Sequence, residues 1–99
     1  MNYIQQIARD IRSRVTNDLM PEQDTDELFL IYAMLVLTKG AQTTREDVHN
    51  AWSAWMSKSD PTHESIKPFN ELDATAQCED EPFQAAIVAV AEARPRQAS

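Results

Sequence analysis

The sequence has very little glycine and cysteine, with one residue of each among 99. The single glycine, Gly40, excludes a glycine-rich phosphate-binding loop and argues against a β-sandwich or barrel, which needs many tight turns. The single cysteine, Cys78, excludes an intramolecular disulfide and is typical of a reducing compartment. The sequence therefore predicts a cytoplasmic protein whose stability depends on one modest apolar core.

Long apolar segments are also missing. The longest apolar run covers residues 28–37, whereas a membrane-spanning helix needs about 20 apolar residues. Residues 1–15 are polar and amphipathic, which is unlike the apolar block of a signal peptide. We therefore expect a single domain with no membrane association and no secretion signal.

Positive charge is scarce, because 16 acidic residues face 9 lysines and arginines for a net charge of −7. A negative domain repels phosphate backbones, so we expect no nucleic-acid partner. The acids concentrate in residues 18–27 and 71–81, each with five acids and no base. These clusters are either solvated caps and loops or a docking face for a basic partner.

Two helices are predicted in the first half of the chain. Residues 2–15 carry apolar side chains at spacings of three and four, which places them on one helical face. The second helix has a capping-box pattern at Asp24 and Glu27 and a terminator at Gly40. It is apolar on nearly every face over residues 28–37, so we expect it at the centre of the fold or covered by a partner.

The third helix is predicted to begin at a second capping box, formed by Thr43 and Glu46. It should end near residues 57–60, because Pro61 disfavours helical geometry in the residue before it. Pro61 and Pro68 then bracket the longest irregular stretch of the chain.

The C-terminal region is predicted to hold a short helical turn over residues 73–79 and a further helix capped at Asp80, with Pro82 in its first turn. The predicted fold class is all-α. We expect a compact bundle of four to five helices over residues 1–93, a proline-bracketed loop before the C-terminal helical region, and a flexible tail over residues 94–99.

Catalytic and metal-binding patterns are weak. Cys78 is followed by three acidic residues, which oppose formation of a nucleophilic thiolate. A zinc site would have to be assembled by folding alone, because no metal-ligand spacing joins the candidates Asp47, His49, His63, Cys78 and Asp80. We therefore expect no catalytic residue, no metal and no cofactor, and a protein that is not an enzyme.

Trp52 and Trp55 are the largest apolar side chains of the chain and lie one turn apart on the third helix. They serve either as core residues or as an aromatic platform for a planar ligand. His49 and His63 bracket them in sequence, which favours the platform. A histidine such as His49 is, taken alone, more often the partner of a loop carbonyl.

Residues 48–87 resemble the ryanodine-receptor-type repeat domain. In that family a His-x-x-Trp helix start precedes a loop with histidine, proline and an aromatic residue. The matching positions are His49, Trp52, His63, Ile66, Pro68, Phe69 and Leu72. The family's glycine-tryptophan-tyrosine-glycine stretch has no counterpart, and Glu64 stands where the family has proline. The whole chain is also similar to small proteins of actinobacteria and their phages.

The resemblance implies a non-enzymatic module that senses or sequesters a nucleotide-derived small molecule. We expect the ligand-binding residues to be His49, Trp52, His63 and Phe69. The alternative is a helical protein-interaction or oligomerising protein, such as a phage-encoded modulator of a host protein. The apolar surface of residues 28–37 favours this alternative and predicts a homo-oligomer, most simply a homodimer.

Overall fold

Five α-helices follow one another in the computed structural model, which describes residues 1–21 and 23–94. They are α1 (Tyr3–Ser13), α2 (Asp26–Thr38), α3 (Arg45–Met56), α4 (Ala74–Cys78) and α5 (Glu81–Ala93). No strand occurs in the described ranges, so the predicted all-α class is confirmed. Arg94 follows α5 as its C-cap, and the remainder of the predicted tail, residues 95–99, lies outside the described residues.

The second helix organises the bundle, because α2 packs against α1, α3 and α5. Its buried residues are Leu28, Phe29, Tyr32, Ala33 and Val36. They meet an apolar face on each neighbour, with Ile11 of α1, Val48 of α3 and Ile87 of α5 all fully buried. The predicted central position of residues 28–37 is therefore correct for one face of α2, while the opposite face remains exposed.

The first helix is fixed at its start by a capping box. The Asn2 side chain accepts a hydrogen bond from the Gln5 amide, and the Gln5 side chain accepts one from the Asn2 amide. These two bonds satisfy amide groups that have no partner within the helix. The buried residues Ile7 and Ile11 lie one turn apart and face α2 and α5, as the sequence periodicity predicts.

The predicted capping box at the start of α2 is wrong. Thr25 is the N-cap and makes no side-chain capping bond. The Asp24 carboxylate accepts instead from the Asp26 amide at 3.0 Å, and the Glu27 side chain pairs with Lys58. The opposite end agrees with the prediction, because Gly40 follows the helix with a φ of 56° that glycine adopts without steric cost.

The capping box of α3 exists but lies one residue later than the Thr43–Glu46 pair that the sequence predicts. The Thr44 hydroxyl accepts from the Asp47 amide at 3.1 Å, and the Asp47 carboxylate accepts from the Thr44 amide at 2.9 Å. Partial burial acts to raise the pKa of Asp47, but its bonds to Thr44 and Lys39 hold that pKa below its usual range. Thr43 is buried and donates its hydroxyl to the Gly40 carbonyl.

The C-terminal helices begin as predicted. Asp73 caps α4 by accepting from the Ala76 amide at 2.8 Å, and Pro82 lies in the first turn of α5. Asp80 is the N-cap of α5, but its side chain makes no capping bond. The Asp80 carboxylate is therefore free to face its surroundings.

The segment between α3 and α4 folds back onto the bundle. It has no α-helix over residues 57–73, only a 3-10 turn at Phe69–Glu71. Ile66 packs against the core, and Leu72 is buried. The segment therefore closes one side of the bundle beside α3.

None of the helices in the described part of the chain is long and apolar enough to cross a membrane.

The cap of α3 gives a direct test of the helix start. Replacing Thr44 by Ala removes the side-chain acceptor of the capping box and should lower the free energy of unfolding by about 1 kcal/mol. The control is Glu46→Gln, which should leave stability nearly unchanged because Asp47, and not Glu46, is the reciprocal residue. Chemical denaturation measures both. A larger loss for Glu46→Gln than for Thr44→Ala would contradict the assigned cap.

Candidate functional site

A row of aromatic side chains joins α3 to the segment that follows it. The His49 and Trp52 rings stack with centroids 5.8 Å apart and planes 21° apart. His63 meets Trp52 edge-on at 5.2 Å, and Phe69 lies 6.1 Å from His49 on the other side. The Arg45 guanidinium lies over the Phe69 ring at 5.9 Å. The row therefore places Trp52 between the two imidazoles.

The buried His49 side chain fixes the returning segment. Its Nε2 atom lies 2.7 Å from the Lys67 carbonyl oxygen, and a carbonyl can only accept. Nε2 therefore carries a proton and donates it, as expected for a histidine that bonds to a loop carbonyl. In the neutral imidazole, this bond leaves the lone pair on Nδ1.

His63 is also held in one orientation, by its own backbone. The Ser65 amide donates to His63 Nδ1 at 3.0 Å, so in the neutral ring the proton is on Nε2. The half-buried ring is thereby kept against the indole of Trp52.

A cleft of about 720 Å³ opens beside this row. One side is the turn after α1, at residues 18–21, and the opposite side is α4 with the start of α5. The inner wall carries His49, Trp52 and Tyr32, and His63 stands at the loop side. Most of the lining is apolar, and a few polar groups converge on it, as in small-molecule sites.

Asp80 is the acidic group closest to the imidazole row. One carboxylate oxygen lies 3.9 Å from His49 Nδ1, and the side chain is only 14% exposed. Burial raises the pKa of Asp80 to about 6, the charge of Glu79 adds to this rise, and His49 and Arg45 act against it. The cleft thus contains a carboxyl group that is costly to ionise.

Tyr32 forms the floor of the cleft next to a cluster of aromatic rings. Its ring centroid lies 5.3 Å from that of Phe29 and 5.8 Å from that of Phe83. Burial and the charge of Asp80 both raise the pKa of the Tyr32 hydroxyl, which therefore stays protonated. In the described part of the chain no fully buried side-chain polar atom lacks a partner, and no hydrogen bond involves this hydroxyl, so it reaches the cleft.

The charge of the cleft has one sign. Asp18, Glu79 and Asp80 line it, and the described residues contribute no lysine or arginine to the lining. Arg45 also acts on Asp80, but its guanidinium is stacked on Phe69 and lies outside the lining. An anionic group entering the cleft would therefore meet negative charge without a compensating base.

The zinc candidates do not converge. Within residues 1–21 and 23–94, no group of three or more histidine, cysteine, aspartate and glutamate side chains is placed to hold a metal ion. Asp47 is instead occupied by its helix cap and by Lys39, at 3.2 Å.

The structure brings three of the four predicted ligand-binding residues to the cleft: His49, Trp52 and His63. The fourth, Phe69, does not line the cleft, and its role in ligand binding stays a prediction. Its ring packs on His49 and is covered by Arg45, so Phe69 supports the histidine from behind.

Two polar residues of the site were missed as ligand contacts by the sequence analysis. Tyr32 lies in the apolar run 28–37 and was predicted only as a core residue. Asp80 was predicted as a helix cap and considered as one of several zinc-ligand candidates. Pro82 is the feature of the sequence that could have indicated a free Asp80 carboxylate. A proline in the first turn has no amide hydrogen, so it leaves fewer donors for the side chain of the cap residue.

The buried carboxyl of Asp80 predicts a pH-dependent stability. Its pKa is about 6 in the folded protein and near 4 in an unfolded chain, so the folded state binds the proton more tightly between these values. Stability therefore falls as pH rises from about 4 to 6, and ionised Asp80 destabilises the fold above that range. Asp80→Asn should raise the free energy of unfolding at pH 7 by about 1–2 kcal/mol, a value that allows for screening of the charge by solvent in the cleft. At pH 4 the same substitution should raise it by much less.

Urea denaturation at both pH values measures this difference. Glu92→Gln is the control, since it removes one exposed acid from the same helix and should show no such pH dependence. A stabilisation by Asp80→Asn that is equal at pH 4 and pH 7 would contradict the assignment.

One family model matches the chain over residues 2–92, and its description is Domain of unknown function (DUF7701). No curated protein and no solved structure matches the chain. The resemblance of residues 48–87 to the ryanodine-receptor-type repeat is therefore wrong. The motif residues have local roles in this fold: His49 bonds the Lys67 carbonyl, and Ile66 packs on the core. Because the match extends over nearly all of its length, the chain belongs to the DUF7701 family.

Proposed function

We propose that this protein is a non-enzymatic binding module whose cleft senses or sequesters a small planar molecule of the nucleobase type. The observation that carries this proposal is the position of Trp52. Its partner in sequence, Trp55, is buried in the core, whereas Trp52 is half-buried and lines the cleft. His49 already stacks on the Trp52 ring, and the part of the indole that lines the cleft offers contact area for a flat ring system.

The polar groups around Trp52 support a heteroaromatic ligand over a hydrocarbon. His49 and Asp80 meet at the inner end of the cleft, and the Tyr32 hydroxyl reaches it from the floor. Such groups recognise ring nitrogens and exocyclic amines through hydrogen bonds, while the indole supplies the contact area. The ligand fits as a base or nucleoside better than as a phosphate ester, because the cleft lining is acidic.

The pair Ser53 and His49 has the composition of a nucleophile and its base, but its hydrogen bonding favours a binding role over a catalytic one. The Ser53 hydroxyl lies 3.4 Å from His49 Nε2, which at first resembles a nucleophile and its base. That nitrogen carries the proton given to the Lys67 carbonyl, so it has no lone pair with which to activate serine. His49 therefore serves to position the site.

The two tryptophans allow a test with the protein's own fluorescence. Trp55→Phe leaves Trp52 as the only tryptophan of the chain, and Trp52→Phe leaves Trp55. Titration with adenosine, guanosine, cytidine and uridine should quench the Trp55→Phe variant, because the bound base stacks on the indole. The Trp52→Phe variant should show at least about fivefold less quenching, since Trp55 is enclosed by the core.

Thermal shift measured on the same variants separates binding from quenching alone. A nucleoside that binds at the cleft should raise the melting temperature of the wild type and of Trp55→Phe. Quenching of the same size in both single-tryptophan variants, or no response to any nucleoside, would contradict the proposed stacking site.

A second function, self-association, is favoured by a separate observation on α2. Leu30, Met34 and Leu37 recur at spacings of four and three and are 36%, 45% and 39% exposed. They form an apolar stripe on α2 that stays exposed among the residues that the structure describes. Acidic residues lie at the start of α2 and Lys39 lies just beyond its end, 52% exposed. Two copies packed with antiparallel α2 helices would bury the stripe and bring Asp26 of one copy near Lys39 of the other, which also pairs with Asp47 of its own chain.

Sedimentation equilibrium tests this dimer. The wild type should be dimeric at tens of micromolar, and Met34→Lys should be monomeric because it places a charge at the centre of the buried stripe. Ala54→Lys is the matched control, as it adds the same charge to an exposed position of α3. A wild type that remains monomeric at high micromolar concentration would exclude the dimer.

A further inference from the structure

We infer that the ligand of this cleft is a planar cation, such as a positively charged nucleobase, held by Asp80 and stacked on Trp52. This inference rests on the proposed function and names the chemical class of the ligand. It depends on the balance of hydrogen-bond donors and acceptors that the folded chain leaves unoccupied in the cleft.

The inner end of the cleft is rich in acceptors. His49 donates through Nε2 to the Lys67 carbonyl, so in the neutral ring Nδ1 presents a lone pair toward the cleft side, where Asp80 lies 3.9 Å away. The Asp80 carboxylate makes no hydrogen bond with its own helix and offers further lone pairs. Two acceptors that face each other across 3.9 Å are stabilised by a donor group placed beside them, and a cationic N–H group is the strongest donor.

The Tyr32 hydroxyl adds an independent indication that a ligand completes the site. Tyr32 is 1% exposed, yet its hydroxyl has no hydrogen-bond partner among the described residues and reaches the cleft. The hydroxyl is not fully buried, since no fully buried side-chain polar atom of the described residues lacks a partner. A ligand N–H or oxygen within reach of Tyr32 would give it a partner that the described residues do not provide, because the hydroxyl both donates and accepts.

The Trp52 indole also favours a positively charged ligand, as the acceptors of His49 and Asp80 do. The face of an indole carries partial negative charge and attracts a cation stacked on it. Asp18 and Glu79 add negative charge at the sides of the cleft, and neither is balanced by a lysine or arginine among the described lining residues. A phosphate-bearing nucleotide is disfavoured on the same ground, and no metal-ligating group is assembled in the described residues to bridge it.

Two isomeric nucleosides test the charge directly. The base of 1-methyladenosine is protonated and cationic at pH 7, whereas its constitutional isomer N6-methyladenosine stays neutral and carries the same methyl group at another position. Isothermal titration calorimetry at pH 7 should show that the wild type binds 1-methyladenosine about tenfold or more tightly than N6-methyladenosine. Adenosine 5′-monophosphate should bind more weakly than either nucleoside.

Three variants test which residues cause the preference for the cationic nucleoside. Asp80→Asn keeps the shape of the side chain and should lower affinity for 1-methyladenosine about tenfold or more, with little change for N6-methyladenosine. Tyr32→Phe should weaken both nucleosides by a few-fold, because it removes one hydrogen bond. Glu92→Gln removes an acid at the far end of α5 and should change neither affinity.

Each alternative result has one meaning. Equal affinities for the two isomers, or an Asp80→Asn variant that keeps the preference for the cation, would overturn the inferred charge while leaving the stacking module in place. Loss of the preference in Glu92→Gln as well would assign it to the general negative charge of the protein and also overturn the inference. If neither nucleoside binds, the inferred cation site is wrong, and the proposed function is wrong as well if none of adenosine, guanosine, cytidine and uridine binds.

Discussion

The hydrogen bond from His49 to the Lys67 carbonyl is the contact on which the arrangement of the cleft depends. Without it, the segment between α3 and α4 would be held by its apolar contacts, chiefly Ile66 and Leu72, and by the bonds that the Gln77 side chain donates to the carbonyls of Phe69 and Leu72. The bond fixes the segment and the tautomer of the imidazole together. It thereby orients the ring that stacks on Trp52 and directs Nδ1 toward Asp80.

The cleft contains polar groups, Asp80 and Tyr32, that make few hydrogen bonds with the rest of the chain. Asp80 is an N-cap whose carboxylate has no capping bond, and the Tyr32 hydroxyl lies on the floor without a partner in the described residues. The partly buried Asp80 carboxylate lowers stability relative to a fully bonded alternative, whereas the Tyr32 hydroxyl reaches the cleft and can be solvated there. Such local costs gather at sites whose groups are needed for something other than folding. The rest of the bundle, with tightly buried residues such as Ile11, Val48 and Ile87, offsets them.

The second helix has two apolar faces with different consequences. One face holds Tyr32 and its neighbours in the core and also forms the floor of the cleft. The other presents Leu30, Met34 and Leu37 to the surroundings, which is an unusually large apolar surface for a helix in so small a domain. The ligand site and the apolar stripe lie on opposite sides of α2. Occupation of the cleft and association through the stripe are therefore sterically compatible.

The sequence determined which segments are helical and roughly where they end. Apolar spacing indicated α1, Gly40 marked the end of α2, and Pro82 marked the first turn of α5, because these signals act within a few residues. These local signals did not determine which of two neighbouring residues is the helix cap. Thr43 and Thr44 are both good caps, and only the burial of Thr43 against the Gly40 carbonyl made Thr44 the cap.

Three of the four predicted binding residues line the cleft, because His49, Trp52 and His63 share α3 or the loop that returns beside it. The roles of Tyr32, Asp80 and Phe69 were not predictable in this way. Tyr32 comes from α2 and Asp80 from the start of α5, and they meet His49 only when those helices pack together. Phe69 was predicted at the ligand and stands behind His49. Local spacing determined the helices and the aromatic row of this protein, whereas tertiary packing alone decided which polar groups face the cleft, since contacts between distant segments leave no periodic pattern in the sequence.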